Sequence, residues 1–208
     1  SAGIINVLKG QRDNPQGNAN ATPTGYYTRK YIPEVILNNN HTGSNYRHWI
    51  IIRYAEILLS YAEALNNLTG PHTVELDGQP YTMSRDKEEI KKAFNQVRYR
   101  AGLPGLTANQ LNSTPEVQKQ IERERMVEFL WENRRFYDVR RWGIYEETEQ
   151  EPIRGMNPDG ATKETYYQRV IPSSSSFLTR VVDKRSVWVP IPRNEMRRLP
   201  SLDQNPGY

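Results

Sequence analysis

Ile121-Glu122-Arg123-Glu124-Arg125-Met126-Val127-Glu128-Phe129-Leu130-Trp131-Glu132-Asn133-Arg134-Arg135-Phe136-Tyr137-Asp138-Val139-Arg140-Arg141-Trp142-Gly143 is the stretch that decides the fold class. It has no Pro, and no Gly before its last residue. Met126, Phe129, Leu130, Asn133, Phe136, Tyr137 and Arg140 follow the three-and-four spacing of one helix face, apolar except for Asn133 and Arg140. Thr114 and Pro115 suit the start, a hydroxyl N-cap followed by Pro at the first helical position. Gly143 suits the position just past the end, and Arg140 and Arg141 complement the negative end of the dipole. One long helix over 115–141 is the expectation.

Two shorter helices are expected before it. Over 50–67, Ile50, Tyr54, Ile57, Leu58, Tyr61, Ala62 and Leu65 lie on one broad face. Ala55, Ala62 and Ala64 leave room for a close neighbour. The second helix runs from about Arg85 to Arg100, capped by Ser84 with Lys87 at the box position. Its apolar face is Ile90, Ala93, Phe94, Val97 and Ala101, and Gly102, Pro104 and Gly105 stop it. Between the two, Val74-Glu75-Leu76 and Tyr81-Thr82-Met83 flank Asp77-Gly78, a hairpin signal. The spacing is that of a tetratricopeptide-type helix pair with the hairpin as an insertion.

The flanks are less regular. Residues 9–25 and Asn38 to Asn45 read as loops. Tyr26 to Ile32, ended by Pro33, reads as a short strand whose tyrosines form either a half-buried strand face or a stacking surface for a sugar or base. After Gly143, Tyr166–Ile171, Phe177–Val182 and Ser186–Ile191 read as short strands around a flexible Ser173–Ser176 link, with Pro190 and Pro192 keeping the last out of a central position. The chain therefore divides into a loop-rich lead-in (1–48), a helical repeat-like core (49–142) and an irregular C-terminal region (143–208). The fold class is mainly α, built on tetratricopeptide-like helix pairs with a few short strands.

Composition narrows the functional classes. Of 208 residues, 28 are basic and 24 acidic, a net charge of +4 with no Lys/Arg run long enough to track phosphates, which argues against a nucleic-acid partner. There is no Cys, so disulfides, thiolate catalysis and Cys–zinc sites are excluded. The mean hydropathy of -0.83 limits the core material. No apolar run approaches a membrane span. Ile4-Ile5 and Val7-Leu8 are too short for a signal h-region, and Ser1 in place of Met suggests a piece of a longer protein.

Motifs for chemistry are sparse. His41, His48 and His72 lack metal-pair spacing. No Gly-x-Ser-x-Gly elbow or Gly-rich phosphate loop occurs. Glu56 and Glu63, two turns apart at roughly 10 Å, have the separation of an inverting glycosidase pair, yet any amphipathic helix supplies such a pair. Glu122, Glu124, Glu128 and Glu132 read as ion-pair partners of Arg125, Arg134 and Arg135. Asn40-His41-Thr42, Asn67-Leu68-Thr69 and Asn112-Ser113-Thr114 fit the N-glycosylation pattern, relevant only in a eukaryotic secretory context. No catalytic residue, metal ligand or cofactor is assigned.

Four segments in order resemble the SusD/RagB family. They are Arg53 to Asn66; Ala93-Phe94-Asn95-Gln96-Val97-Arg98 with Arg100-Ala101-Gly102-Leu103-Pro104; the long-helix stretch; and Val189-Pro190-Ile191-Pro192 with Glu195 and Gln204-Asn205-Pro206-Gly207-Tyr208. The resemblance covers residues 25–208. It implies the C-terminal portion of a non-catalytic outer-membrane lipoprotein of Bacteroidetes-type bacteria. Such a protein captures oligosaccharides, polysaccharides or peptides for a TonB-dependent transporter, and is anchored through an upstream segment absent here. The family's ligand surface is built largely upstream, so no binding residue carries over. At Asn133, where the family often has Gly, the expectation is a mid-helix Asn with a local hydrogen bond and little consequence. Arg134, Arg135, Arg140 and Arg141 are expected to fork carboxylates or to face water. Two other readings stand beside this one: a helical-repeat adaptor for another protein, and a glycoside hydrolase using the glutamates above, which needs one carboxyl with a raised pKa. At least one of Trp131 and Trp142 is expected to be largely buried, and an exposed apolar patch above roughly 400 Å² is expected where helical repeats lack a neighbour.

Overall fold

A computed structural model of the protein describes residues 5–31, 48–172 and 180–208. His41, the Asn38–Asn45 loop, the sequon at Asn40 and the Ser173–Ser176 link lie outside the described residues. The chain forms two compact units, His48–Asp138 and Ser1–Arg47 with Val139–Tyr208. Among the described residues helix accounts for 41% and strand for 8%, so the class is mainly α with few short strands, as the sequence implies.

The unit His48–Asp138 holds the helical core. Helix α1 is Tyr54–Asn66. Strands β1 (His72–Leu76) and β2 (Gln79–Met83) pair antiparallel around Asp77 and Gly78. Both turn residues have positive φ, as a two-residue hairpin of this hand needs. Helix α2 (Lys87–Arg100) is capped by Asp86, whose carboxylate accepts from the N–H groups of Glu88 and Glu89. The expected Ser84 cap is thus two residues early: Asp86 is the residue that reaches the first-turn amides. Helix α2 closes at Gly102, with Gly102 N–H to Tyr99 O and Leu103 N–H to Arg98 O, the paired bonds of a Schellman end. Helix α3 is Ala108–Leu111, with Thr107 and Gln110 closing a capping box. Helix α4 is Thr114–Glu128, with Ser113 as the N-cap where Thr114 was expected.

The core of this unit lies between α1, α2 and α4. Leu59, Ile90, Val117 and Ile121 are wholly buried, joined by Ala62, Leu65, Ala93, Phe94, Val97 and Phe129. The face that α1 buries differs from the expected one. Ala55, Leu59, Ala62, Leu65 and Asn66 point inward, whereas Tyr54, Ile57 and Tyr61 are exposed. The small Ala55 and Ala62 allow close approach of α2, and the bulky side chains one position round the helix are left outside. Asn66 is fully buried and satisfied: its amide donates to Thr114 O at 2.9 Å and accepts from Arg85, which also donates to Leu111 O.

The long helix expected over 115–141 is two helices. After α4 the chain turns through Phe129–Asn133, and α5 (Arg134–Arg141) follows. Trp131 (φ 65°) and Asn133 (φ 59°) both sit in the left-handed region. The expectation that Asn133 is a mid-helix residue of little consequence is therefore overturned. It occupies a position that favours Gly. Arg53 explains the break. Its Nη2 donates to Glu128 O at 2.7 Å, a carbonyl freed at the helix end, while its Nε holds the Glu132 carboxylate at 2.9 Å. The Glu128 carboxylate bonds Arg53 Nη1 and Arg100. Phe129 lies beneath the guanidinium groups of Arg53 and Arg125.

The second unit has short elements. Helix α6 is Tyr145–Gln150, β3 (Gly155–Met156) pairs with β4 (Arg169–Val170), α7 is Lys163–Tyr166, a 3-10 turn covers Lys184–Val187, and α8 is Arg193–Arg198. Gly143 ends α5 as expected, with Gly143 N–H to Arg140 O and Ile144 N–H to Val139 O. Several strand expectations fail. Tyr26–Tyr31 is irregular, residues 180–182 are not strand, and Ser186–Ile191 opens in the 3-10 turn. Only Arg169–Val170 remains of Tyr166–Ile171. Asn14 anchors the lead-in: it is fully buried and donates to Val7 O and Pro158 O.

Candidate ligand-binding site

The cavity of interest lies in the second unit and is built by the C-terminal tail. Asp183 caps the 3-10 turn, accepting from Arg185 N–H at 3.1 Å and pairing with Arg185 Nε at 2.9 Å. The turn aims the chain so that Trp188 projects from extended backbone. The tail then runs back along it. Gln204 accepts from Ile191 N–H at 2.7 Å and donates to Ile191 O at 3.0 Å. Asn205 donates to Val189 O at 2.7 Å, and the Tyr208 hydroxyl to Trp188 O at 3.2 Å. Gly207 has φ 93°, and a Cβ there would stand 2.6 Å from the Arg185 Cβ, so only glycine lets the tail close. Arg140 secures the other side, donating to Ser186 O and Val187 O at 3.0 Å each, with its guanidinium 4.4 Å from the Tyr145 ring centroid.

The result is an open cavity of about 560 Å³ lined by Glu146, Asp183, Lys184, Arg185, Val187, Trp188, Pro206 and Gly207. That is within the size range of small-ligand sites. Trp188 is 55% exposed. Glu146 and Lys184 have no ion-pair or hydrogen-bond partner among the described residues. Such a surface offers an aromatic face, a free acceptor and a free donor. The sequence carried little sign of it, because Ser186–Ile191 reads as a strand and Glu146 as one of many glutamates.

A second, shallower groove of about 280 Å³ lies in the helical unit, where Tyr54, Ile57, Leu58 and Tyr61 of α1 face Glu89, Lys92, Ala93 and Gln96 of α2. A third aromatic group surrounds Tyr166, whose hydroxyl donates to Gly25 O at 3.0 Å. Tyr26, Tyr27 and Tyr167 are exposed. Burial pushes the Tyr166 phenol up, and the phenols of Tyr27, Tyr167 and Tyr26 add to the effect.

The glutamates singled out for hydrolysis are tied up in structure. Glu56 pairs with Arg134 at 2.7 Å, and Glu63 is buried. Glu124 pairs with Arg98 at 2.9 Å, Glu132 with Arg53, and Glu122 accepts from Gln118. Burial alone would raise the Glu128 carboxyl, but the hydrogen bonds from Arg100 and Arg53 outweigh it and hold it below the usual range. A general acid needs the opposite shift. His48 and His72 are exposed, and no group of metal-ligating side chains occurs among the described residues. The arginines of this stretch make several kinds of contact. Arg134 pairs with one Glu56 oxygen through Nη2, which also donates to Ile51 O, Arg140 holds backbone carbonyls, and Arg141 stacks on the Trp142 ring at 4.5 Å. Trp131 is 60% exposed and so is not a buried anchor, while Trp142 is half-buried. Two sequons serve the backbone here, Asn67 as the C-cap of α1 and Ser113 as the N-cap of α4.

Comparison with known proteins agrees with the ordered motifs. The model of the SusD family matches residues 5–208. A SusD-like protein P2 of Formosa agariphila is 26% identical over 185 residues, covering 86% of this chain and 30% of that protein. The crystal structure of a SusD-like protein from Bacteroides fragilis superposes with a TM-score of 0.66 at 32% identity, covering 94% of this chain and 33% of that one. The chain thus spans about a third of the length of these relatives.

Proposed function

The chain belongs to the SusD family, a family of cell-surface nutrient-binding proteins, and from that premise we propose that it serves non-catalytic capture of glycans, or of peptides, for delivery to a TonB-dependent outer-membrane transporter. In this reading the 208 residues supply the C-terminal portion of a longer fold, held at the outer membrane by a lipid anchor upstream. The observation that carries the proposal is the family match across nearly the whole chain. Two features support it. Of the glutamates that a hydrolase would use, Glu56, Glu124, Glu128 and Glu132 pair with arginines, Glu63 is buried and Glu122 accepts from Gln118, and the tail-built cavity offers an aromatic and polar lining without a nucleophile–base pair. No helix of the described residues is long and apolar enough to cross a membrane.

Titration of the purified chain with a panel of oligosaccharides and peptides, together with affinity purification from detergent-solubilised membranes, tests the proposal. Saturable binding without turnover, and an outer-membrane barrel protein in the eluate, is the expected result. Turnover of a glycan, lost on Glu56→Gln or Glu63→Gln substitution, would replace it with the hydrolase reading.

A further inference from the structure

Resting on the capture reading, we propose that the cavity built by the C-terminal tail binds an uncharged sugar ring, stacked on Trp188 with its hydroxyls held by Glu146 and Lys184. Three observations converge. First, Trp188 is more than half exposed although the backbone around it is tightly fixed. Its carbonyl and its neighbour's are taken by Tyr208 and Asn205, so the backbone that carries the ring is fixed and the ring itself is left exposed. An exposed indole on a fixed backbone is suited to the apolar C–H face of a pyranose. Second, Glu146 and Lys184 line the same cavity without partners of their own among the described residues. A carboxylate accepts from two adjacent hydroxyls, and an ammonium donates to a hydroxyl or ring oxygen. Third, the wall is electrically balanced. Glu146 and Asp183 carry two negative charges, and Lys184 and Arg185 two positive ones. Arg185 is already engaged, by Asp183 at 2.9 Å and by the Tyr208 ring at 5.5 Å. That leaves the Glu146 carboxylate and the Lys184 ammonium on one cavity wall, each without a partner among the described residues. A uronate or sulfated sugar would bring a further negative charge against Glu146, whereas an uncharged ring meets donor and acceptor with no excess charge.

The test is calorimetric titration of the purified chain with neutral gluco-, xylo- and manno-oligosaccharides and with oligogalacturonate. Wild type is compared with Trp188→Ala, Trp188→Phe, Glu146→Ala and the control Tyr167→Ala. Urea melts should show the wild-type midpoint for all four, since none of these side chains is needed to close the tail. The expected result is binding of a neutral oligosaccharide, weakened about tenfold or more by Trp188→Ala, weakened less by Glu146→Ala, largely kept in Trp188→Phe and unchanged in Tyr167→Ala. Neutral-glycan binding that survives Trp188→Ala overturns this site and leaves the capture function standing. Preference for oligogalacturonate overturns the uncharged class. Absence of any glycan binding by the wild-type chain overturns the site and counts against the glycan reading itself.

Discussion

Asn133 shows how much one backbone angle decides. At φ 59° an L-residue is strained by contact of its Cβ with the following carbonyl, and Asn tolerates this better than most. Asn133→Gly should therefore raise stability by up to ~1 kcal/mol and Asn133→Ala lower it by about as much, read from urea midpoints. Trp131, also left-handed and largely exposed, gives a contrasting case. Its replacement by Ala should stay within about 0.5 kcal/mol of wild type, against the several kcal/mol a buried Trp would cost. Gly105 is constrained by space. A Cβ there would meet the Asn95 amide at 2.3 Å, and Asn95 accepts from the buried Leu106 N–H at 2.8 Å. Gly105→Ala should destabilise by roughly 1–3 kcal/mol, because the amide that satisfies Leu106 must move. None of these three positions reveals its role by residue type alone. Asn95 and Gly105 lie eleven and one residues from Leu106, and only the return of the chain brings them together.

At the scale of elements, the break between α4 and α5 depends on a residue from another segment. Periodicity alone runs unbroken from Val117 to Arg140, and α4 and α5 would be one helix by pattern. Arg53, just before α1, ends α4 by taking its last carbonyl and two carboxylates. Arg53→Met should cost about 3–5 kcal/mol by removing the guanidinium that holds the buried Glu132 carboxylate and shares Glu128 with Arg100. The same cluster sets a pH dependence. The Glu128 carboxyl is held below its ordinary value of 4.5 in the folded chain. The unfolded chain then binds the proton more readily, so stability rises with pH across the interval between the two values. This contribution is fully present above pH ~4.5 and is lost as pH falls through the folded value. Urea midpoints between pH 3 and pH 6 should show a shallower decline for Glu128→Gln than for wild type.

At the scale of the whole molecule, the outstanding feature is apolar surface. Trp49, Ile51, Ile52, Tyr54 and Ile57 are all more than half exposed, along the approach to α1 and its outer face. Scattered apolar residues are ordinary, but a run of five large ones in nine positions is the pattern of a surface made to be covered. Light scattering of the purified chain should show concentration-dependent association, and Ile52→Lys with Ile57→Lys should suppress it while leaving the urea midpoint within about 0.5 kcal/mol. A wild-type monomer at all concentrations would show that this face needs no partner.

The sequence by itself determined what depends on neighbours along the chain. That covers helix at 54–66 and 87–100, the Gly102 and Gly143 helix ends, the Asp77-Gly78 hairpin, the mainly-α class, and the family through four ordered motifs. Local spacing, turn chemistry and motif order suffice for these, because a helix or a two-residue turn is set by residues within a few positions. The tertiary structure decided everything that turns on distant partners. It chose which face of α1 is buried, because small alanines dock closer than tyrosines. It split the long helix, because Arg53 arrives from 75 residues away to hold Glu128. It also made the cavity at Trp188, where the tail residues Gln204, Asn205 and Tyr208 fasten to carbonyls and amides of 188–191 that the local pattern would have assigned to a strand.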